Sequence, residues 1–336
     1  MPRLAQLDDW LKRQFSPDGE KHDFRLTRAS SDASFRRYFR ITLPDGGTRI
    51  VMDAPPEHED CRPFVKVAAL FSAAGVNVPA VEAEDLAQGF LLLSDFGDTT
   101  YLKALDASTA RELYGDAVDA LVAIQRASRP GILPDYDRNL LRREIGLFPK
   151  WYVARHRRVA LNDRQTADLG AVFEKILENA LAQPKVFVHR DYHSRNLMRT
   201  AHGNPGILDF QDAVYGPITY DLVSLFRDAY IAWDEETELD YVIRYWETAR
   251  GAGLPVPLDF YDFYRDYEWM GAQRQLKVLG IFARLYHRDA KDDYLKDLPR
   301  VMDYLRRVCT RYTELRPLAR VLNEIEEVKT ETRLSF

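Results

Sequence analysis

Three polar residues in the second half of the chain have the spacing of a phosphoryl-transfer centre. The stretch VFVHRDYHSRNLM contains Asp191 and, five residues later, Asn196, and a further acid, Asp209, follows 13 residues after Asn196. Phosphoryl transfer needs an Asp beside the acceptor hydroxyl, an Asn that can hold Mg²⁺, and a second Asp for the metal that bridges the phosphates. The turn-forming HGNPG separates two strand-like runs, NLMRT and GILDF. We therefore predict that Asp209 folds back beside Asn196.

Each residue of this stretch has a predicted role. Asp191 is the predicted catalytic base, and His193 is predicted to reach a phosphate oxygen. Asn196 and Asp209 are the predicted Mg²⁺ ligands. His189 is expected to buttress the loop. A divalent-metal cluster made by the His-x-Asp-x-His pattern is an alternative interpretation of the same letters.

Two other stretches carry similar letters and fail the same test. A second His-Arg-Asp ends at Asp289, but the fifth residue after it is a Tyr, and no apolar strand ending in Asp follows. Asp-Phe-Gly occurs at residues 95–97, before any His-Arg-Asp, which is the wrong order for a metal-binding loop. We interpret it as part of a connector whose backbone contacts adenine, and we predict that Ser94 and Phe96 bind ATP.

Composition narrows the class of protein. The 336 residues are 46% apolar and 29% charged, which is typical of a globular protein with room for two lobes. The net charge of −5 gives no indication of nucleic-acid binding, and no protein partner is implied. Two cysteines form neither a disulfide framework nor a metal cluster. Without an apolar N-terminal core or an 18-residue apolar run, we expect a cytoplasmic protein with no membrane association.

The elements that must position these residues change in type along the chain. FRRYFRITL and TRIVMDA flank the turn PDGG and predict a β-hairpin, and GFLLLS predicts another strand. Residues 62–74 predict a helix with Phe64, Val67, Ala68 and Phe71 on one face. A Thr-x-x-Glu capping box at 109–112 begins the first of several predicted helices, which continue at 138–154, 163–182 and most of 220–325. The predicted fold is α+β and bilobal, with a β-rich nucleotide-binding lobe at 1–94, a hinge at 95–101 and a helical lobe at 102–336 that carries the catalytic loop and the acceptor site.

Longer stretches resemble a known family. HRDYHSRNLM with GILDFQDAVYGPITYDLVSLFRDAY resembles the aminoglycoside phosphotransferase and choline kinase family. SSDASFRRYFR, VMDAPPE, LLLSDFGDTTYL and EIGLFPKWYV are most similar to its bacterial anomeric N-acetylmuramate/N-acetylglucosamine kinases of cell-wall recycling. The resemblance implies a protein-kinase-like fold, ATP and Mg²⁺ as cofactors, and a small-molecule amino sugar phosphorylated on its C1 hydroxyl. It also implies that Asp221 braces the catalytic loop.

The nucleotide side departs from the protein-kinase pattern. The strand that carries a phosphate-binding Lys in protein kinases reads RIVMDAP here, with Met52 or Asp53 at that place. One hypothesis is a swapped ion pair in which Asp53 lies on the strand and Lys66 reaches the phosphates from the following helix. The alternative is that Lys66 is simply solvated. The stretch ASSDASFRRYF replaces a glycine-rich loop, and its predicted ATP-binding residues are Ser31, Asp32 and Ser34.

A sugar pocket needs carboxylates for hydroxyls and an aromatic face for the ring. Arg195 is the candidate for a lactyl carboxylate, and residues 260–282 are predicted mainly to pack, with Trp269 or Arg274 as further pocket candidates. Another acceptor (an aminoglycoside, choline or homoserine) and a nucleotide-binding scaffold without turnover are the alternative functions. The predicted substrate-binding residues are Glu144, Trp151, Tyr192, Arg195 and Asp228.

Overall fold

The computed structural model describes residues 2–15, 24–30 and 35–333. The strands are β1 Arg25–Ser30, β2 Arg37–Thr42, β3 Thr48–Asp53, β4 Val81–Asp85, β5 Phe90–Ser94, β6 Lys185–Val188, β7 Leu197–Met198, β8 Gly206–Ile207 and β9 Val214–Pro217. The α-helices are α1 Pro2–Phe15, α2 Arg62–Ala73, α3 Tyr101–Ala104, α4 Ala110–Arg126, α5 Arg138–Ile145, α6 Asp163–Ala182, α7 Tyr220–Phe226, α8 Glu235–Gly251, α9 Phe260–Asp289, α10 Leu298–Arg311 and α11 Arg316–Arg333. Residues Phe148–Arg157 form a π-helix, and Asp293–Asp297 and Thr313–Leu315 form 3₁₀ turns.

The chain forms two compact units. The first comprises residues up to Thr109 together with Asn196–Asp212, and the second comprises Ala110–Arg195 and the residues from Ala213 onward. The lobe boundaries at 94 and 101 stay a prediction. Among the described residues, no helix has the length and apolar content needed to cross a bilayer.

The first unit contains a five-stranded antiparallel sheet in the order β1-β2-β3-β5-β4. The predicted hairpin is confirmed, because β2 and β3 pair in register with Phe39 opposite Val51. Its turn is closed by Leu43 N donating to the carbonyl of Gly47 at 2.8 Å, and Gly46 adopts a φ of +83° that favours glycine. The PDGG signal therefore fixes the register of the hairpin.

Two helices of the first unit pack apolar faces. On α1, Leu7, Trp10 and Leu11 join a buried cluster with side chains of β2, β3 and β5. On α2, the buried residues are the four predicted from the sequence. The ring centroid of Phe64 lies 4.8 Å from that of Phe210, so α2 packs against the segment that carries Asp209.

The predicted strand-turn-strand around HGNPG is also confirmed. β7 pairs antiparallel with β8, with Leu197 opposite Ile207. The amide of Leu208 donates to the carbonyl of Asn196 at 2.9 Å, and that of Ile207 donates to the carbonyl of Asn77 at 2.8 Å. The ladder therefore carries Asp209 back towards Asn196.

The second unit is mostly helical around the 30-residue α9, whose middle is buried on nearly all sides. The helical character predicted at 138–154 is confirmed, but it is divided between two elements. α5 ends at Ile145, and a π-helix with Pro149 in its first turn follows, because proline cannot donate the backbone hydrogen bond that would continue α5. The predicted helix at 163–182 is confirmed by α6, which begins with a capping box made by Asn162 and Gln165.

The Thr-x-x-Glu signal does mark the start of a helix, since α4 begins at Ala110. Thr109 makes other contacts, however. Its hydroxyl donates to the carbonyl of Ala104 at 2.7 Å and accepts from the amide of Asp106 at 2.9 Å. The side chain thus closes the preceding turn.

Candidate active site

The loop that follows β6 is held by one buried carboxylate. Asp221, at the start of α7, accepts hydrogen bonds from the amide of His189 at 2.6 Å and from the amide of Arg190 at 2.9 Å. The amide of Asp191 donates to Nδ1 of His189 at 3.2 Å, which is the buttressing contact predicted from the sequence. Arg190 has a φ of +79°, a conformation that non-glycine residues adopt mainly where surrounding structure enforces it. The loop therefore presents Asp191 in a fixed position.

Asp191 lies in a positively charged environment. Burial raises the pKa of its carboxyl, but the charges of Lys277 and Arg190 more than compensate, so that its pKa lies below the ordinary value. Burial lowers the pKa of the neighbouring His193. At neutral pH the site therefore contains an ionised carboxylate beside a neutral imidazole.

Lys277 belongs to a buried ion cluster behind Asp191. Its Nζ donates to the hydroxyl of Tyr220 at 2.7 Å and lies 3.4 Å from Oε1 of Glu144. Glu144 also pairs with Arg190 and accepts a hydrogen bond from Tyr136. Burial raises the pKa of Glu144, but Lys277 and Arg190 lower it below its usual range. The cluster therefore fixes the cation that keeps Asp191 ionised.

A cavity of about 150 Å³ opens beside Asp191 within the second unit. Its polar wall contains His193, Arg274 and Lys277 in addition to Asp191, and two aromatic residues, Tyr230 and Tyr294, face it. The remaining wall is apolar and consists of Ala229, Val278, Ile281, Phe282 and Leu285. The cavity therefore places the carboxylate of Asp191 next to cationic, aromatic and apolar surfaces.

Asn196 and Asp209 meet in the first unit. Nδ2 of Asn196 lies 3.3 Å from Oδ2 of Asp209, and Gln211 donates to Oδ1 of Asp209 at 2.8 Å. Asp209 is exposed and has a φ of +62°, so its backbone is held in a conformation unusual for a residue with a side chain. Both side chains offer the hard oxygen ligands that Mg²⁺ prefers. Within the described residues, no group of three or more His, Cys, Asp or Glu side chains is arranged to hold a metal ion, and the role of Asn196 and Asp209 as Mg²⁺ ligands stays a prediction.

Comparison with known proteins decides the family. The profile of the phosphotransferase enzyme family matches residues 25–255. This chain belongs to that family. It is 52% identical to N-acetylmuramate/N-acetylglucosamine kinase of Neisseria meningitidis, over 98% of this chain and 99% of the relative, and 50% identical to the protein of the same name from Pseudomonas aeruginosa, over 97% of each. An aminoglycoside phosphotransferase solved as a ternary complex with streptomycin and ATP shares the fold, with a TM-score of 0.57 at 15% identity, over 89% of this chain and 96% of that one.

The predicted family, its kinase class and the protein-kinase-like α+β fold are thereby confirmed. The phosphotransferase family membership agrees with the loop, cavity and Asn-Asp pair described above.

The predicted ATP-binding residues fall into two groups. Ser31, Asp32 and Ser34 lie outside the described residues. Lys66 is exposed on α2, and Ser94 ends β5, where its hydroxyl accepts a hydrogen bond from the amide of Ala80 at 2.9 Å. Their contact with ATP stays a prediction.

Phe96 is half-buried against Gly206 of β8. A Cβ at Gly206 would lie 2.5 Å from Cδ2 of Phe96, so only glycine allows the ring to lie there. The preceding Asp95 is held by Arg40 of β2 through Nη2 at 3.0 Å. The side chains of the connector are thus held in defined positions. The contact of Phe96 with ATP stays a prediction.

The hypothesis of an ion pair between Asp53 and Lys66 is replaced by a different arrangement. Asp53 is fully buried and pairs with Arg3 of α1, 2.7 Å away, and with Arg37 of β2. Two arginines therefore occupy the position at which that hypothesis placed a lysine. The function of Asp53 is to join α1, β2 and β3.

Three of the predicted substrate residues are engaged within the protein. Tyr192 has no exposed surface and donates to the carbonyl of Ala117 at 2.8 Å, so its side chain is not accessible to a substrate. Asp228 is buried and accepts from the amides of Ser194 and Tyr230, each at 2.9 Å, which makes it a brace of the loop. Glu144 belongs to the ion cluster with Lys277.

The other two predicted substrate residues differ in their surroundings. The guanidinium of Arg195 lies 3.6 Å from the centroid of the Tyr230 ring, which faces the cavity. Trp151 is partly buried and packs against the helical core from the π-helix. Arg195 therefore stays a candidate for substrate binding. Trp151 is not among the residues that line the cavity, so its predicted contact with the substrate stays a prediction.

Sequence reasoning missed Lys277 and gave Arg274 only as a further candidate. Both lie three residues apart on α9, in the segment QRQLKVL, where they occupy buried positions. Cations one turn apart in an otherwise buried helix are the signal that could have identified them, since unpaired buried charges are costly. The aromatic residues upstream instead favoured packing for the whole segment.

Proposed function

We propose that this phosphotransferase transfers the γ-phosphoryl group of ATP to the anomeric C1 hydroxyl of N-acetylmuramate and N-acetylglucosamine. The products would be ADP and sugar 1-phosphates that feed UDP-sugar synthesis during peptidoglycan recycling in the cytoplasm. The observation that carries this proposal is the cavity beside Asp191, which combines a carboxylate for a hydroxyl with apolar and cationic walls. The names of relatives at 50–52% identity support the choice of sugars.

Asp191 orients the acceptor hydroxyl and takes its proton as the oxygen attacks the γ-phosphorus and the bond to the β,γ-bridging oxygen breaks. Lys277 and Arg190 keep this carboxylate ionised, and Asp221 and His189 fix its position. Mg²⁺, held by Asn196 and Asp209, would neutralise charge on the phosphates. His193, neutral at pH 7, is suited to donate one hydrogen bond.

The charge of the cavity distinguishes among acceptors. Polycationic aminoglycosides need acidic surroundings, and cationic choline needs aromatic faces that no other cation covers. Here the guanidinium of Arg195 already lies over the rings of Tyr230 and Tyr294. Among the described lining residues Asp191 is the single acid, whereas Arg274 and Lys277 are cations. The cavity thus favours a neutral or anionic acceptor.

The first experiment measures ADP formation with ATP and Mg²⁺ on N-acetylmuramate, N-acetylglucosamine, choline and kanamycin. Methyl N-acetylglucosaminide, whose C1 oxygen is blocked, is the matched control acceptor. We expect turnover of both free sugars, none of the glycoside, and loss of activity when EDTA removes Mg²⁺. Asp191→Asn should lower kcat by about 10²- to 10⁴-fold.

Several outcomes would contradict the proposal. Phosphorylation of the methyl glycoside would place the reacting hydroxyl elsewhere on the ring. Turnover of choline or kanamycin alone would retain the kinase and exclude the amino sugar. Tight ATP binding without turnover of any acceptor would indicate a nucleotide-binding scaffold.

A further inference from the structure

One arginine at the cavity makes no close ion pair with a described residue, although its charge helps to lower the pKa of Asp191. Arg274 of α9 is 4% exposed and lines the cavity that contains Asp191. Its Nη1 has no hydrogen-bond partner among the described residues, and none of their carboxylates lies within ion-pair distance of its guanidinium. A buried guanidinium with a donor that no protein group accepts is destabilising. An anionic ligand group would supply the missing partner.

The neighbouring cation is already satisfied. Lys277, one turn further along α9, donates to Tyr220 and lies 3.4 Å from Glu144. Arg274 has no equivalent partner in the described part of the chain. Of the two α9 cations at the cavity, Arg274 is therefore the one with a donor available to a ligand.

The walls around Arg274 limit what the anion can be. Val278, Ile281, Phe282 and Leu285 form an apolar surface in the same cavity. A carboxylate attached to a small alkyl group fits one guanidinium next to such a surface. A fully ionised phosphate, which needs several donors, fits it less well.

We propose that Arg274 binds the carboxylate of the acceptor and thereby selects a carboxylated amino sugar over a neutral one. In N-acetylmuramate this group is the lactyl ether, whose methyl would contact the apolar wall. The inference rests on the proposed function and assigns the acceptor's acidic substituent to a residue. Arginine suits this role because its planar fork can bind both carboxylate oxygens at once.

The test compares kcat/KM for the two sugars in the wild type, Arg274→Met and Arg274→Lys. We expect Arg274→Met to lower kcat/KM for N-acetylmuramate about 10- to 100-fold, as for loss of a hydrogen bond to a charged group, and for N-acetylglucosamine by no more than about threefold. Arg274→Lys should recover part of the loss. The methyl ester of N-acetylmuramate should be a poorer substrate than the free acid for the wild type and an equal one for Arg274→Met.

Arg284→Met is the matched control, since Arg284 is a half-buried arginine of α9 that does not line the cavity. It should leave the ratio of the two sugars unchanged. Thermal melts separate folding from binding. Arg274→Met should melt no lower than the wild type, and N-acetylmuramate should raise the melting temperature of the wild type more than that of the variant.

An equal loss with both sugars would overturn the carboxylate assignment and leave the kinase proposal intact. So would a change confined to the KM for ATP, which would place Arg274 on a phosphoryl group. Wild-type turnover of N-acetylglucosamine alone would also exclude the subsite, whereas turnover of neither sugar would overturn both proposals. If Arg274→Met does not fold, Arg274→Lys with the acid and its ester decides between these outcomes.

Discussion

Lys277→Met should lower both the stability of the protein and the ability of Asp191 to remain ionised. The substitution keeps most of the side-chain volume and removes the ammonium, which lies 3.4 Å from Oε1 of Glu144 and is 8% exposed. At 3.4 Å, Coulomb's law with an effective dielectric constant of about 20 gives an attraction of about 5 kcal/mol. Because Glu144 would retain Arg190 and Tyr136, we expect the loss at the lower end of the range for a broken buried pair, about 3 kcal/mol.

A double-mutant cycle with Glu144→Gln separates the charge effect from loss of packing. In Lys277→Met the carboxylate of Glu144 stays buried with less compensation, whereas in the double variant that charge is gone. Lys277→Met should therefore be less damaging in the Glu144→Gln background, with a coupling energy of about 1–3 kcal/mol. Urea denaturation measures the free energy of unfolding. The control is Lys175→Met, since Lys175 is an exposed residue of α6.

Lys277→Met should also change the pH dependence of catalysis in one direction. Lys277 is the strongest of the charges that lower the pKa of Asp191, so its removal should raise that pKa. The acidic limb of the profile of kcat/KM against pH should then move to higher pH. N-acetylglucosamine is the appropriate acceptor because it has no carboxylate of its own. The reasoning would be refuted if Lys277→Met lowered the free energy of unfolding equally in the wild-type and Glu144→Gln backgrounds, or if the acidic limb did not move.

Three further predictions test the catalytic loop, the connector and helix α6. Burial raises the pKa of Asp221 to about 7. Its protonated form therefore contributes stability that is fully present below about pH 4 and is lost as the pH rises through 7. In Asp221→Asn, the free energy of unfolding measured in urea should vary less between pH 4 and pH 7 than it does in the wild type. Gly206→Ala should cost about 1–3 kcal/mol of stability and raise the KM for ATP, because the new methyl displaces Phe96. An unchanged KM for ATP would show that Phe96 does not contact the nucleotide. Gly170→Ala, where a Cβ meets open space within α6, should instead raise the melting temperature, and a lower one would contradict this use of the glycine geometry.

The sequence was most informative where local patterns carried the structure. The face of α2, the PDGG hairpin and the strand-turn-strand around HGNPG depend on residues close in sequence, and all three were predicted. The helical character at 138–154 was predicted as well, but its division into α5 and a π-helix was not, because the apolar spacing continues through Pro149 although the α-helical hydrogen bonding does not.

Long-range partners could not be predicted in the same way. Asp53 was expected to pair with a lysine of the next helix, but its partners are Arg3, which is 50 residues away in sequence, and Arg37. Glu144 looked like a sugar-binding acid, whereas its charge is compensated by cations from two distant segments. Residue type indicates that a buried charge needs a partner, but only the fold determines which residue is near.

This difference explains why a cavity arginine with an unused donor is informative about the ligand. Nearly every charge around Asp191 has a protein group opposite it: Glu144 compensates Lys277 and Arg190, and Asp228 is occupied by two backbone amides. Such groups hold the loop in position whether or not substrate is present. Arg274 shares their burial and is attracted by the carboxylates of Asp191 and Asp221, but its Nη1 lacks a described hydrogen-bond partner, and a buried donor without a partner is costly. A residue that is maintained at such a cost is best explained by the ligand that completes it, and its removal should therefore harm substrate selection more than folding.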